Sequence, residues 1–226
     1  MDWKNEIVEN WRKGIDGKFQ TALFAMNALS NLNPRQLERI EKAQNVLDIG
    51  CALGGAAKIF KSINNEINYI GYDKYSVELA KQEVTDESFT DKKQDCKLND
   101  IVYCSQMLCY DDIKLEDLEA NEMLIILEPS DQNFDGWPDE YDKSSEDIEK
   151  PGGHTKALTR KDFPKKLGEL RRTTFKLIPY TSKDLNDCYM TLIVYEKLDE
   201  KTLYDIDFDR TERENRFEFL EKRQKV

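Results

Sequence analysis

Residues 46–55 read VLDIGCALGG, and this stretch decides the fold. NVLDIG is a short apolar run closing on Asp48 and Gly50, which suits a buried strand. CALGG follows as a tight loop, and AAKIFKSI behind it reads as a helix. Outward from there, INYIGYD supplies a second short strand, and SVELAKQEV a helix with Val77, Leu79, Ala80 and Val84 as its apolar positions. Asp100 opens a further strand, DIVYCSQML. KLEDLEA is predicted as a short helix and EMLIILEP as another strand. Strands that alternate with helices, each nearly continuous in apolar residues, predict a parallel α/β sheet covered on both faces.

The flanks read differently. Residues 1–44 are predicted to form a helical cap. Ile7, Trp11 and Ile15 recur at helical spacing, as do Phe19, Leu23 and Met26. In NLNPRQLERIEKA, Asn33 is placed as an N-cap, Pro34 suits the first helical position, and Leu37 and Ile40 share a face. Residues 131–159 are strongly acidic, hold two Pro and three Gly, and lack periodicity. They are predicted as a lid, since loops this long in compact domains are usually functional or disordered. TRKDFPKKLGELR is a helix candidate. TTFKLIPYT and CYMTLIVYEKL read as two strands joined by SKDLND, an antiparallel hairpin. From Asp199 the tail is highly charged, with Phe217 and Leu220 on one side of a possible helix. The expectation is a single domain: cap 1–44, core 45–198 carrying the lid, and tail 199–226.

Composition narrows the function. Thirty-four Lys and Arg stand against 45 Asp and Glu, a net charge of −11 over 226 residues. Nucleic-acid binding rests largely on Lys and Arg neutralising phosphates, so this balance argues against a phosphate backbone as the main partner. No stretch approaches the about 20 apolar residues of a membrane span. The start, MDWKNEIVEN, resembles neither a secretory signal nor a transit peptide, which leads us to expect a cytoplasmic protein. The five Cys (51, 96, 104, 109 and 188) have no CxxC spacing, and His154 is the single His. Structural zinc sites use closely paired Cys and His, so reduced, packed thiols are expected and no metal.

The chemistry concentrates at two strand ends. Ligands of open α/β sheets sit outside the carboxyl ends of the strands, where strand order switches. Glycine lets a backbone approach a ligand closely, and a helix N-terminus offers N–H groups to a carboxylate or phosphate. Asp73 ends the second strand 25 residues after Asp48. An acid there can accept hydrogen bonds from both ribose hydroxyls, or can cap the SVELAKQ helix. The sequence therefore suggests an adenosine-containing ligand across two strand ends.

The glycines at 50, 54 and 55, with Ala52 between and Asp48 before them, depart from the GxGxxG dinucleotide pattern. They resemble the first motif of the class I S-adenosylmethionine-dependent methyltransferases, D-x-G-x-G-x-G. GYDKYSVELAKQ is similar to that family's second motif, DIVYCSQMLCYDDI to its fourth-strand motif, and LIILEPSD to its fifth strand. PGGHTKALTRKDFPKKL resembles the stretch that follows the lid in many members, and the final two strands match the sixth and seventh. The likeness spans roughly residues 45–197 in family order. It implies a Rossmann-like, seven-stranded, mostly parallel sheet with an antiparallel last strand and helices on both faces.

Carried over residue by residue, the resemblance implies that Asp48 and the loop Gly50, Cys51, Ala52 and Gly54 hold the methionine part of S-adenosylmethionine. Asp73 takes the ribose-binding place, flanked by Tyr72 and Lys74. Asp91 is the candidate for the adenine amine, with Asp95 and Asp86 as competitors. Ser105 and Gln106 border the methyl group. Ala52 stands where the family usually has Gly; a positive φ there would cost about 1 kcal/mol. Gln106 replaces the commoner Glu, and Tyr110 the commoner His, on the substrate side.

His154 matches a substrate-facing family position and is the candidate general base, against the simpler reading of a surface imidazole. Glu128 either orients substrate or pairs with a Lys. Trp137 and Tyr141 either wall the substrate or simply pack. The acidic lid is either a solvated loop or suited to a cationic acceptor. The expected function is methyl transfer to an O or N atom of a small metabolite or sugar-type acceptor. The alternatives are a protein methyltransferase and a non-catalytic binding or scaffold subunit.

Overall fold

The computed structural model describes residues 17–92, 99–108, 113–129, 162–180 and 188–198. Two helices, α1 (Gly17–Ser30) and α2 (Pro34–Lys42), precede β1 (Asn45–Ile49). The chain continues through α3 (Ala56–Ile63), β2 (Asn68–Tyr72), α4 (Val77–Glu83), β3 (Ser88–Thr90), β4 (Ile101–Ser105), β5 (Met123–Pro129), β6 (Arg172–Tyr180) and β7 (Cys188–Glu196). The strands form one seven-stranded sheet in the order β3-β2-β1-β4-β5-β7-β6. Every pairing is parallel except the two made by β7. Strand order reverses between β1 and β4, so the crevice at the switch lies beyond Ile49 and Ser105.

The apolar runs have a direct cause. Met123 through Leu127 of β5 are fully buried, and the inner residues of β1 and β4 nearly so, because both sheet faces are covered. On one face Phe24 and Leu29 of α1, Ile40 of α2 and Phe60 of α3 pack on Val46, Tyr69, Tyr103 and Ile125. On the other, Leu47, Val102, Leu124, Ile126 and Ile193 meet Ile113, Leu118, Phe163 and Leu170. Burying each such side chain contributes about 1.5–3 kcal/mol.

Asn33 caps α2 as expected, accepting from Gln36 N while the Gln36 side chain accepts from Asn33 N, both at 3.0 Å. The final hairpin is antiparallel, in register from Arg172 opposite Glu196 to Tyr180 opposite Cys188. Two expectations fail. KLEDLEA holds only a 3₁₀ turn, Leu115–Asp117. The helix expected in TRKDFPKKLGELR is absent from its described part, residues 162–171. There Pro164 lacks the N–H a helix interior needs, and Gly168, at φ 55, turns the chain so that Leu167 and Leu170 bridge each other. The stretches containing Ile7, Trp11 and Ile15, the lid and the charged tail lie outside the described residues.

At the end of the sheet away from the crevice, buried Glu196 of β7 gathers α2. Gln36 Nε2 donates to it at 2.8 Å, and Arg39 and Arg172 approach it at 3.8 Å. Arg39 also donates to Glu122 Oε2 at 2.8 Å and to the Lys197 carbonyl at 2.6 Å.

Candidate functional site

The loop after β1 is built from left-handed backbone. Gly50 has φ 79, Ala52 φ 46 and Gly54 φ 73. A Cβ on Gly50 would lie 2.2 Å from Met107 Cγ, and one on Gly54 2.6 Å from Phe89 Cζ. Ala52 thus takes the positive φ anticipated at the family's glycine position, at about 1–2 kcal/mol. A second non-glycine residue in this region is Gln106 (φ 56), immediately after β4. Such conformations persist where the surroundings over-determine them, and they gather at ligand sites.

The surroundings here are hydrogen bonds. The N–H groups of Gly50 and Cys51 donate to the Tyr72 carbonyl at 2.8 and 3.1 Å, joining the loop to the tip of β2. Asp73, almost fully buried, accepts from Ala52 N at 3.1 Å through Oδ2, and from Tyr75 N and Ser76 N at 2.8 and 2.9 Å through Oδ1. Ser76 Oγ donates to the Ala52 carbonyl at 2.9 Å. Asp73 therefore ties the two strand tips together and caps the turn into α4 with one carboxylate. An ionised carboxylate has about four acceptor sites, so one remains after these three donors. On the far side of the loop, Gly55 N donates to Thr21 Oγ1 of α1 at 3.2 Å.

Beneath the loop, Asp48 is buried and accepts a short hydrogen bond from the Tyr69 hydroxyl. Burial pushes its carboxyl up to about 7; the Tyr69 hydrogen bond opposes this and the nearby charge of Asp73 adds to it. Tyr103 stands opposite Asp48 on β4, its hydroxyl pushed upward by burial and by the Asp48 charge. The Ser105 side chain at the end of β4 interacts with the Tyr103 hydroxyl. Both hydroxyls are buried.

The remaining candidates fall into clear places. Cys51 is fully buried under the loop, and Cys104 is buried with its thiol pushed far up, mainly by desolvation and then by Glu128 and Asp48. Lys74 is exposed beside Asp73, its Nζ 5.3 Å from the Tyr75 ring centroid. Asp91 directly follows β3 and is exposed at the same end of the sheet as Asp73, whereas Asp86 precedes β3 at the opposite end. Glu128 is buried at the tip of β5, where Oε1 accepts from Met107 N at 3.0 Å and Leu108 N at 2.9 Å. Asp95, Tyr110, Trp137, Tyr141 and His154 lie outside the described residues. Sequence reading missed Thr21, Tyr69 and Met107. Only Tyr69 left a signal, since strand alternation places it on the same sheet face as Asp48.

No family model matches this sequence, and no curated protein does. Solved structures match it by fold. A chain from the Haloferax volcanii complex of the Trm112 methyltransferase activator with a methyltransferase superposes at TM-score 0.57 and 16% identity, covering 88% of this chain and 99% of that one. A SAM-dependent methyltransferase of Methanosarcina mazei gives TM-score 0.51 and 16% identity over 75% of this chain and 99% of its own. The plantazolicin methyltransferase BpumL, solved with SAH, gives 0.50 and 13% over 87% and 91%. The fold is that of the class I S-adenosylmethionine-dependent methyltransferases, with the sheet order and single antiparallel strand described above. Among the described residues no helix is long and apolar enough to cross a membrane.

Proposed function

We propose that this chain is a cytoplasmic S-adenosylmethionine-dependent methyltransferase acting on an O or N atom of a small metabolite or sugar-type acceptor. The observation that carries the reading is the left-handed loop Gly50–Gly54 at the switch point, tied through Ala52 N to Asp73 on the neighbouring strand tip. The residues present fit the cofactor. Gly50 and Gly54 give the turn at the strand tip its left-handed backbone, and the Ser105 hydroxyl lies at the end of β4.

The glycine loop would face the methionine part, with Asp48 and Cys51 supporting it from below. Asp73 would accept a ribose hydroxyl at its remaining site, with Lys74 beside it and Asp91 at the adenine. Ser105 and Gln106 would border the reacting methyl. Bound S-adenosylmethionine supplies an already activated methyl group. The chain then has to align the acceptor and exclude water, and orientation of this kind lowers a barrier by roughly 7–11 kcal/mol. His154 is proposed to take the acceptor's proton, worth roughly 10²–10⁴-fold, with Tyr110 and Trp137 on the substrate side. The net charge of −11 supports a metabolite over a nucleic acid.

Calorimetric titration with S-adenosylmethionine tests the cofactor. A folded protein that binds none would point to a scaffold subunit. Incubation with methyl-labelled cofactor and either a metabolite pool or a cell protein extract tests the acceptor, and label in the protein fraction would replace the small-molecule reading.

A further inference from the structure

The turn after β4 has little local reason to hold its shape. Gln106 sits at φ 56 without being glycine, and its N–H donates to the Leu127 carbonyl at 2.8 Å. The next two N–H groups, of Met107 and Leu108, converge on one oxygen of Glu128 at 3.0 and 2.9 Å. Glu128 is 1% exposed, so these bonds act where water does not compete. The Met107 side chain in turn covers Gly50, in the space a Cβ there would need. A continuous line of contact therefore runs from the tip of β5, through the backbone after β4, to the surface of the glycine loop on β1.

We propose that Glu128 is a positioning residue of the cofactor cleft. Its buried carboxylate sets the turn after β4 and, through Met107, the wall that faces the glycine loop. This rests on the S-adenosylmethionine reading above. It gives Glu128 a different role from the two considered on sequence grounds: Oε1 serves the backbone of a neighbouring strand tip rather than a substrate or a lysine.

Amide hydrogen exchange on the ligand-free, full-length wild type is the first test. The Met107 and Leu108 amides are expected to exchange at least about 100-fold more slowly than in an unstructured chain, and exchange at the unstructured rate overturns the proposal. Two variants supply the second. Glu128→Asp withdraws the carboxylate by one methylene; Glu128→Gln keeps an oxygen in place for both donors. Affinity for S-adenosylhomocysteine, by calorimetry, should fall at least about tenfold in Glu128→Asp and stay within about threefold in Glu128→Gln. The two amides should exchange faster only in the Asp variant. Wild-type behaviour in Glu128→Asp, or equal loss in both variants, overturns the proposal. If the wild type binds no S-adenosylhomocysteine, the methyltransferase reading falls, while the exchange rates still decide what Glu128 holds.

Discussion

Replacing Asp73 by Asn separates its two tasks. The carboxylate accepts three backbone N–H groups: Ala52 on Oδ2, Tyr75 and Ser76 on Oδ1. An asparagine has a single acceptor oxygen and will keep the orientation that satisfies two donors rather than one. Its oxygen therefore stays with Tyr75 and Ser76, and its NH₂ group is set against Ala52 N–H, donor facing donor. A hydrogen bond to a charged group contributes about 1.5–3 kcal/mol net, so Asp73→Asn should destabilise the fold by about that much. Asp73→Ala loses all three. Because Tyr75 is partly open to water, which can replace its bond, the expected loss is about 3–5 kcal/mol rather than the full sum. Urea unfolding of the three proteins measures this. Both variants should also bind S-adenosylmethionine more weakly, since the loop carrying Ala52 is no longer anchored. An Asn variant as stable as wild type, or less stable than the Ala variant, would refute the idea that one carboxylate braces both strand tips.

Other substitutions test other parts of the structure. Asp48 has a folded pKa of about 7 against 3.8 for a free side chain. The folded state therefore holds a proton that the unfolded state has lost. The resulting stability is fully present below about pH 4 and disappears as pH rises to about 7, in total about 4 kcal/mol at 1.36 kcal/mol per unit. Asp48→Asn, which still accepts from Tyr69, should flatten that part of the urea-unfolding profile between pH 4.5 and 8 (about this window suffices); an unchanged slope would assign it to other groups. Ala52→Gly relieves a left-handed alanine and should raise stability by up to about 1 kcal/mol, because Gly's greater unfolded-state entropy offsets part of the gain. A fall in the unfolding midpoint would contradict this. Glu196→Ala leaves Gln36 and two guanidinium groups without their shared acceptor. It should lower unfolding free energy by about 3 kcal/mol yet leave S-adenosylhomocysteine affinity unchanged, since Glu196 lies at the opposite end of the sheet. A matching loss of affinity would show that the two ends are coupled.

The elements that were legible are those whose own residues declare them. β1, β4 and β5 are covered on both faces and so are written as largely apolar runs, interrupted in β1 by Asp48, and the Gly50–Gly54 turn carries its glycines openly. β3, Ser88–Thr90, is only three residues long, too short for its alternation to declare it. The helix expected in TRKDFPKKLGELR fails over its described residues, 162–171, because apolar spacing says nothing of how Pro164 and Gly168 turn the chain. At the site, the strand tips could be placed from pattern, but hydrogen-bond partners could not. Asp73 reaches back 21 residues to Ala52, and Glu128 reaches back 20 to Leu108. Thr21 meets Gly55 only because α1 packs on α3. Parallel strand direction, once seen, separates Asp91 from Asp86, a distinction that counting acids cannot make.

The bond from Gln36 to Glu196 spans 160 residues, and β7 slots between β5 and β6. During synthesis α2 emerges long before its anchor, and the flank of β5 waits unzipped until β7 leaves the ribosome. Closure of this domain is thus a late, long-range event. Translation must run past Glu196 before the glycine loop gains a finished scaffold, and until then the nascent chain offers chaperones the uncovered flank of its most apolar strand.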